Sequence, residues 1–387
     1  MKLPIDLKAV IEAATDIESA RNTPVSVSVL IDDSAPGDVA AHVRSAFVGA
    51  GAHARVTVGY FAGPAFSPYE GDDMAVIVAG FSEEVGRRAA EIRAAGVPVM
   101  VVTSMPRLVA DMASAYGNPI PEGDLVAPEG VEGCEAESDA ACKSGEVAGA
   151  HVSVFAGIRA AKSAGEGAAA GPSGAAASSP DVSDAPIPID AAAAAALDRR
   201  MGEWVVAACR EKRLALALSF PFVRRPLSLE AVSATSLQNA GIGLVLFIPG
   251  ADMPLMTLNQ AKMLLQIAAA YGEPMSAARA KELAAIVGGA FACRSVARQV
   301  AGAVPAIGWA VKAGVGYAGT KAMGLAAVEY FERGGSIAGL AGVVSTATAK
   351  AAQIAGDVAA TPAGARVLST VKTAVRQGAA SVLKKTE

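Results

Sequence analysis

The stretch Met74–Thr103, MAVIVAGFSEEVGRRAAEIRAAGVPVMVVT, decides the fold of the N-terminal part of the chain. It holds two short apolar runs, Met74 to Ala79 and Val97 to Thr103, on either side of a segment with helical spacing. Ser82 can cap that helix, and the two glutamates after it lie where the helix dipole favours negative charge. This strand–helix–strand order predicts two parallel strands joined by a crossover helix.

The same alternation extends in both directions from this stretch. Apolar runs predict two further strands, Val25 to Ile31 and Arg55 to Phe61. Helical spacing predicts helices over Lys8 to Ser19, Val39 to Ala50 and Arg107 to Tyr116, with Asp6 as the N-cap of the first. Residues 1–118 are therefore predicted to form a Rossmann-like α/β domain with a parallel sheet.

Ligands of parallel sheets bind at the carboxyl ends of the strands. The first strand here ends at Asp32 and Asp33, which would repel phosphate, and no glycine-rich loop with Lys and Ser/Thr follows it. The two aspartates could hold Mg²⁺, but without a phosphate loop a turn or helix-capping role is the favoured interpretation. We expect no catalytic residues, no metal site and no cofactor. A nucleotide bound by an unconventional loop over Asp32–Asp38 remains an alternative.

The rest of the chain divides into three predicted regions. Residues 119–188 lose periodicity and are first acidic and then rich in Ala, Gly, Ser and Pro, which predicts a disordered linker. Residues 189–335 predict an all-α helical module that opens with Asp190 as an N-cap, and a later helix capped by Ser228. Residues 336–387 predict a helical tail that is basic, since it carries Arg366, Lys372, Arg376, Lys384 and Lys385.

A helical hairpin is predicted in that module, with arms Ala277 to Ala303 and Ala306 to Glu332 joined at Pro305. Small residues every three or four positions in the second arm allow close helix packing. A membrane-spanning helix over Val300 to Thr320 would place Lys312 near its centre. Inserting that charge into the bilayer would cost about 3 kcal/mol on insertion scales. The predicted interaction residues are Arg294, Arg298, Lys312 and Lys321, with small-residue packing at Gly308, Gly314 and Gly316.

The block from Phe220 to Phe331 resembles the YcjF-like domain of unknown function associated with Era-like GTPases. The residues that carry the resemblance are Pro249-Gly250-Ala251-Asp252-Met253-Pro254, Leu258-Asn259-Gln260, Ala270-Tyr271-Gly272, Gly288-Gly289, Arg294 with Arg298, Val304-Pro305-Ala306-Ile307-Gly308, and Ala327 to Phe331. The resemblance implies a preceding GTPase-type domain and membrane association. The N-terminal half is similar to such a domain in outline, but Thr103-Ser104-Met105-Pro106 stands where the guanine-recognising Asn-Lys-x-Asp would be expected.

Composition narrows the role further. With 33 basic and 37 acidic residues the net charge is −4, which argues against a general nucleic-acid binder. The favoured hypothesis is a non-catalytic pseudo-GTPase whose helical module associates with a membrane or docks onto a partner. A nucleotide-binding NTPase and a soluble scaffold are the alternatives. The expected location is the inner face of the cytoplasmic membrane or within that membrane, with the cytoplasm as the alternative, and the candidate partners are a membrane, another protein or a second copy of the chain.

Overall fold

A computed structural model gives the structure of the 387-residue chain and describes residues 6–62, 71–128, 186–245, 252–284, 286, 308–344 and 346. By its internal contacts the chain divides into two units. One unit comprises Met1–Pro128 together with Pro186–Glu387, and the other is Glu129–Ala185. All the described residues lie in the first unit, so the sheet and the helical region below belong to one compact body.

A five-stranded parallel sheet forms the N-terminal half, in the order β2-β1-β3-β4-β5. The strands are β1 (Val25–Ile31), β2 (Ala54–Tyr60), β3 (Met74–Val78), β4 (Val99–Val102) and β5 (Leu125–Val126). The crossover helices are α2 (Gly37–Val48), α3 (Glu84–Ala94) and α4 (Pro106–Ala115). The predicted α/β class is confirmed, and β1 has the predicted bounds. The fifth strand was not predicted, because its two residues fall inside the acidic stretch assigned to the linker.

Helices make up the remainder of the described chain. They are α1 (Leu7–Arg21), α5 (Ala191–Ala208), α6 (Arg213–Ser219), α7 (Pro221–Val245), α8 (Asp252–Ala270), α9 (residues 277–284) and α10 (Gly308–Glu332). The predicted all-α region is confirmed, and Asp6 and Asp190 accept the expected capping hydrogen bonds from Ala9 and Ala193. The hairpin turn at Pro305 lies outside the described residues.

The predicted N-cap at Ser228 is wrong. The helix starts earlier, at Pro221, because proline suits the first turn of a helix, where its missing N–H would have no partner. Ser228 therefore lies within α7, and its hydroxyl donates to the carbonyl of Arg224 one turn back, at 2.8 Å. The helix that Asp190 caps ends at Ala208, and α6 is a separate element.

Each face of the sheet is covered by helices. One face packs against α3 and α4 through buried residues such as Ile77, Ile92 and Val109. The other packs against α2 and also against the start of the helical region, where Leu197, Met201 and Trp204 join the strand valines in one apolar cluster. Helix α5 thus belongs to the sheet's own core, and the helical region is attached to the sheet as one of its layers.

A second core lies within the helical region. It is formed by α8, α9, α10, Val232 of α7 and, unexpectedly, by Val10 and Ala14 of α1. Arg21 fixes α1 in place by donating to the carbonyls of Gly272 and Glu273 beyond α8, at 2.9 and 3.2 Å. The N-terminal helix is therefore part of the helical bundle in space, although it precedes the first strand in the chain.

No helix in the described ranges is both long enough and apolar enough to cross a bilayer.

Candidate functional site

The carboxyl edge of the sheet is where this fold would hold a ligand. With the order 2-1-3-4-5, the crossover direction changes between β1 and β3, and ligands of such sheets bind at that switch point. A shallow cleft of about 450 Å³ lies at this edge, lined by residues that follow β1, β2 and β3, among them Asp32, Asp33, Phe61, Phe81 and Glu84. The groups in this cleft decide what it can bind.

Asp32 lies at the switch point, and its carboxylate accepts hydrogen bonds from other groups of the protein. It is buried, with 3% of its surface exposed. One carboxylate oxygen accepts hydrogen bonds from the Ser34 hydroxyl at 2.8 Å, the Gly80 N–H at 2.9 Å and the Ser82 N–H at 3.3 Å. The other oxygen accepts from the Ser34 N–H at 3.1 Å. The carboxylate therefore ties the loop after β1 to the loop after β3, which agrees with the favoured turn interpretation.

The two loops touch at Gly80. A Cβ added there would lie 2.3 Å from the carbonyl carbon of Ser34 and 2.4 Å from its hydroxyl oxygen. No real Cβ contact is that short, so only glycine allows the loops to approach this closely. The approach brings the Gly80 N–H within hydrogen-bond distance of Asp32.

The N-terminus of α2 is the position at which nucleotide-binding folds hold a phosphate. Here it carries Asp38, whose carboxylate accepts from the N–H of Val39 at 2.9 Å and from the N–H of Ile189 at 3.1 Å. Two residues earlier, the N–H of Ile187 donates to the carbonyl of Ser104 at 3.0 Å. We call Pro186–Asp190 the strap. The strap connects the loop after β4, through Ser104, to the start of α2, through Asp38. The Asp38 carboxylate lies at the helix N-terminus, where nucleotide-binding folds hold a phosphate.

The outer wall of the cleft is aromatic and charged. The Arg88 guanidinium lies 4.3 Å from the centre of the Phe61 ring, and it also donates to Glu84 at 2.8 Å and to the Phe61 carbonyl at 3.1 Å. Asp33 is exposed and accepts from the Ala62 N–H at 2.8 Å. Phe81, with 57% of its surface exposed, is the apolar side chain that the cleft offers to solvent. In the described ranges, no three His, Cys, Asp or Glu side chains form a group suited to a metal ion.

The predicted interaction residues of the helical module are only partly described. Arg294 and Arg298 lie outside the described residues. Gly308, Lys312, Gly314 and Gly316 belong to the first turns of α10. Lys321 is exposed on the same helix, with its ammonium 5.7 Å from the centre of the Tyr317 ring. Tyr317, Lys321 and Leu325 are spaced by four residues and all are exposed, so they form one stripe on the outer face of α10.

A buried polar layer joins three helices of the module. Asn239 of α7, Gln260 of α8 and Thr320 of α10 are at most 1% exposed. Thr320 Oγ1 accepts from Asn239 Nδ2 at 3.0 Å and from Gln260 Nε2 at 2.8 Å. Asn259 Nδ2 donates to Asn239 Oδ1 at 3.1 Å, which extends the layer to the surface of α8.

A cleft of about 700 Å³ runs between α5 and α7. Of its charged residues, Asp198 contacts His42 at 2.8 Å, Glu230 pairs with Arg213 at 2.6 Å, and Arg225 pairs with Glu332 at 2.5 Å. These ion pairs connect α5 and α7 to α2, α6 and α10. They are therefore explained by the assembly of the fold.

Burial raises the pKa values of two side chains, Cys209 and Tyr271. Burial raises the pKa of the Cys209 thiol to about 12, and the charge of Asp73 adds to the shift. Burial also raises the pKa of Tyr271, whose hydroxyl donates to Glu332 at 3.3 Å. Both groups are held neutral, and neither lies at the carboxyl edge of the sheet.

Sequence reasoning missed two features of these sites. It missed the contact of Asp38 with the strap, because the strap is far from α2 in the chain and lies at the end of a stretch without periodicity. It missed Asn239 and Thr320 as partners, since nothing local links residues 81 positions apart. A signal for Thr320 was present, because it is the only Ser or Thr between Gly308 and Glu332.

Compared with known proteins, the chain matches no family model, no curated protein and no solved structure.

Proposed function

We propose that the chain is a non-catalytic, GTPase-associated-type protein that attaches peripherally to the inner face of the cytoplasmic membrane through its helical module. In this proposal the α/β region is a platform for the helices. The observation that carries it is the carboxyl edge of the sheet, where Asp32 and Asp38 receive their hydrogen bonds from the protein's own groups.

The attachment of the helices supports the platform role. Helix α5 shares an apolar core with β1, β3 and β4, so the helical module is fixed to one face of the sheet beside α2. An edge whose Asp32 and Asp38 carboxylates accept hydrogen bonds from the protein's own groups is poorly suited to turning over a nucleotide.

The exposed stripe of α10 is the surface we assign to the membrane. Tyrosine and lysine are side chains with an apolar body and a polar tip, and both are favoured at the boundary between lipid and water. Leu325, with 41% of its surface exposed, adds apolar area on the same face. The basic residues of the predicted tail would add attraction to anionic lipid, at about 1 kcal/mol for each one near the surface.

Co-sedimentation of the full-length chain with vesicles tests this role. We expect binding to vesicles of phosphatidylglycerol and phosphatidylethanolamine, release by high salt, and roughly tenfold weaker binding for Lys321→Glu combined with Tyr317→Ser. Lys281→Glu is the matched control, because Lys281 is an exposed lysine on a different helix, α9. Equal binding by the stripe variant and the control would show that α10 is not the contact surface.

A second candidate role is docking of a protein partner, which the wide cleft between α5 and α7 favours. Its floor is apolar, with Val206, Phe222 and Leu229, and its volume of about 700 Å³ would hold several partner side chains. If vesicles of any composition fail to bind the chain while an α5–α7 cleft variant such as Leu229→Glu loses a binding protein, this second role replaces the first.

A further inference from the structure

The polar layer at Thr320 is unusual for its surroundings. Much of the bundle core is apolar, and it includes Met263, Leu264, Met323 and Phe331. Apolar packing has no direction and tolerates many arrangements of similar volume. A buried hydroxyl that accepts hydrogen bonds from two amides on two other helices has a defined position, because moving it leaves both amides without that acceptor.

The sequence around Thr320 makes this hydroxyl distinctive. Gly316 and Gly324 lie one helical turn before and after it, on the same face of α10. If α10 slid along its axis by one turn, about 5.4 Å, a glycine would replace Thr320 opposite the two amides. Glycine has no side chain to clash and none to accept a hydrogen bond. At the position of Thr320, therefore, a glycine would not oppose the slide sterically, and the hydroxyl is the group that opposes it.

A second contact defines the same register. Gly324 packs against Val232 of α7, and a Cβ at position 324 would lie 2.4 Å from Val232 Cγ2. A slide of one turn would bring Thr320 or Val328 to this place, and both carry the Cβ for which there is no room. The hydroxyl and the glycine thus select the same position of α10 by different means.

We propose that Thr320, held by Asn239 and Gln260, locks the register of α10 against α7 and α8. The lock keeps the exposed stripe of Tyr317, Lys321 and Leu325 at one height on the module. The inference stands on buried contacts, and it holds whether or not that stripe contacts a membrane. Buried polar groups that set helix register at some expense of stability are the best-attested use of such groups.

Disulfide trapping measures the register directly. In a full-length chain whose native cysteines, Cys134, Cys142, Cys209 and Cys293, are replaced by alanine, the pair V232C/G324C reports the observed register. The Cβ positions of that pair lie 3.1 Å apart, close to disulfide range. The pair V232C/V328C reports a slide of one turn. V232C removes the branched side chain that packs against Gly324, so this contact no longer sets the register in either pair. Both pairs therefore test only the hydrogen bonds to Thr320.

The decisive variant replaces the layer with apolar residues, as Asn239→Leu, Gln260→Leu and Thr320→Val together. We expect the V232C/G324C pair to dominate with the natural layer, and the share of V232C/V328C disulfide to rise roughly tenfold with the apolar layer. An unchanged share would show that packing alone sets the register, and would overturn the proposal.

Single variants keep the test available if the triple variant fails to fold. Thr320→Ser retains the hydroxyl and should leave the V232C/V328C share at its original value. Thr320→Val has nearly the same shape as threonine but no hydroxyl, and it should raise that share. Equal trapping by the two variants would also overturn the proposal.

Discussion

Two buried polar centres, Asp32 at the carboxyl edge of the sheet and Thr320 in the helical bundle, hold the molecule together in different ways. Asp32 receives three backbone N–H groups and one hydroxyl, all from residues within two loops. Thr320 receives two side-chain amides from two other helices. The first centre fixes the local path of the chain, and the second fixes how separate helices sit against each other.

This difference has an energetic consequence. Backbone donors cannot turn away when their acceptor is lost. Side-chain amides can adjust their rotamers and find part of a new partner set. We therefore expect changes at the Asp32 centre to be more destabilising than changes at the Thr320 centre.

The largest effect is expected for Asp32→Ala. The variant leaves the N–H groups of Ser34, Gly80 and Ser82 without an acceptor, and each unsatisfied buried group costs about 1–3 kcal/mol. We expect a loss of about 4 kcal/mol in the free energy of unfolding, measured by urea denaturation. Asp33→Ala is the control, since Asp33 is exposed and accepts from a single N–H, and it should lose less than about 1 kcal/mol. Equal losses would refute the Asp32 centre.

A smaller loss is expected for Gly80→Ala. The new methyl group would lie 2.3 Å from the Ser34 backbone, so the loops must separate. Overpacking of this kind should lower the free energy of unfolding by about 3 kcal/mol. Gly37→Ala is the matched control at the start of α2, where an added Cβ meets nothing within 4 Å and should be neutral within about 0.5 kcal/mol. Similar melting temperatures for the two variants would show that the loops are not in contact.

Thr320→Val should lower the free energy of unfolding by less than Asp32→Ala or Gly80→Ala. Asn239 and Gln260 lose a buried acceptor, which predicts a loss of about 2 kcal/mol because their side chains can partly readjust. Thr15→Val on α1 is the control, since that hydroxyl is exposed and bonds only within its own helix, to Ile11. A loss as large as that of Asp32→Ala would break the distinction between the two centres.

The smallest effect on stability is expected from the ionisation of Cys209, which lies in the core shared by the sheet and α5. Burial raises its thiol pKa from 9.0 to about 12 in the folded chain. Because the folded pKa is the higher one, this contribution to stability is complete below pH 9 and is lost as the pH rises toward 12. At pH 8 the folded chain should hold roughly 1,000-fold less thiolate at Cys209 than the unfolded chain. Alkylation by iodoacetamide, mapped by mass spectrometry with and without urea, checks this, and equal rates would contradict it.

The sequence predicts the local parts of this structure well. The valine-rich runs of β1 and β3 and the capping aspartates of α1 and α5 are visible because their causes lie within a few residues. The crossover order then places Asp32 at the switch point and predicts a turn role for it. Its partner Gly80 could be suspected only as a glycine at the end of a strand.

The long-range parts could not be predicted. Val10 and Ala14 show that α1 is amphipathic, but nothing in α1 indicates that its apolar face meets α8, more than 200 positions away. Ile189 reaches Asp38 only because the strap returns to the sheet after residues 129–185. The pairing of Asn239 with Thr320 likewise depends on how α7 and α10 pack, which small residues leave open.

The central claim is that the carboxyl edge of the sheet is closed by the protein's own groups, with the Asp38 carboxylate at the phosphate position. The most direct test is the melting temperature of the full-length chain with Mg²⁺ and 1 mM GTP or ATP, roughly the concentration at which a micromolar site would add several kcal/mol. The account predicts no shift with either nucleotide. A rise of several degrees with either nucleotide would contradict it, and loss of that rise in Asp32→Asn would identify this edge as the nucleotide site.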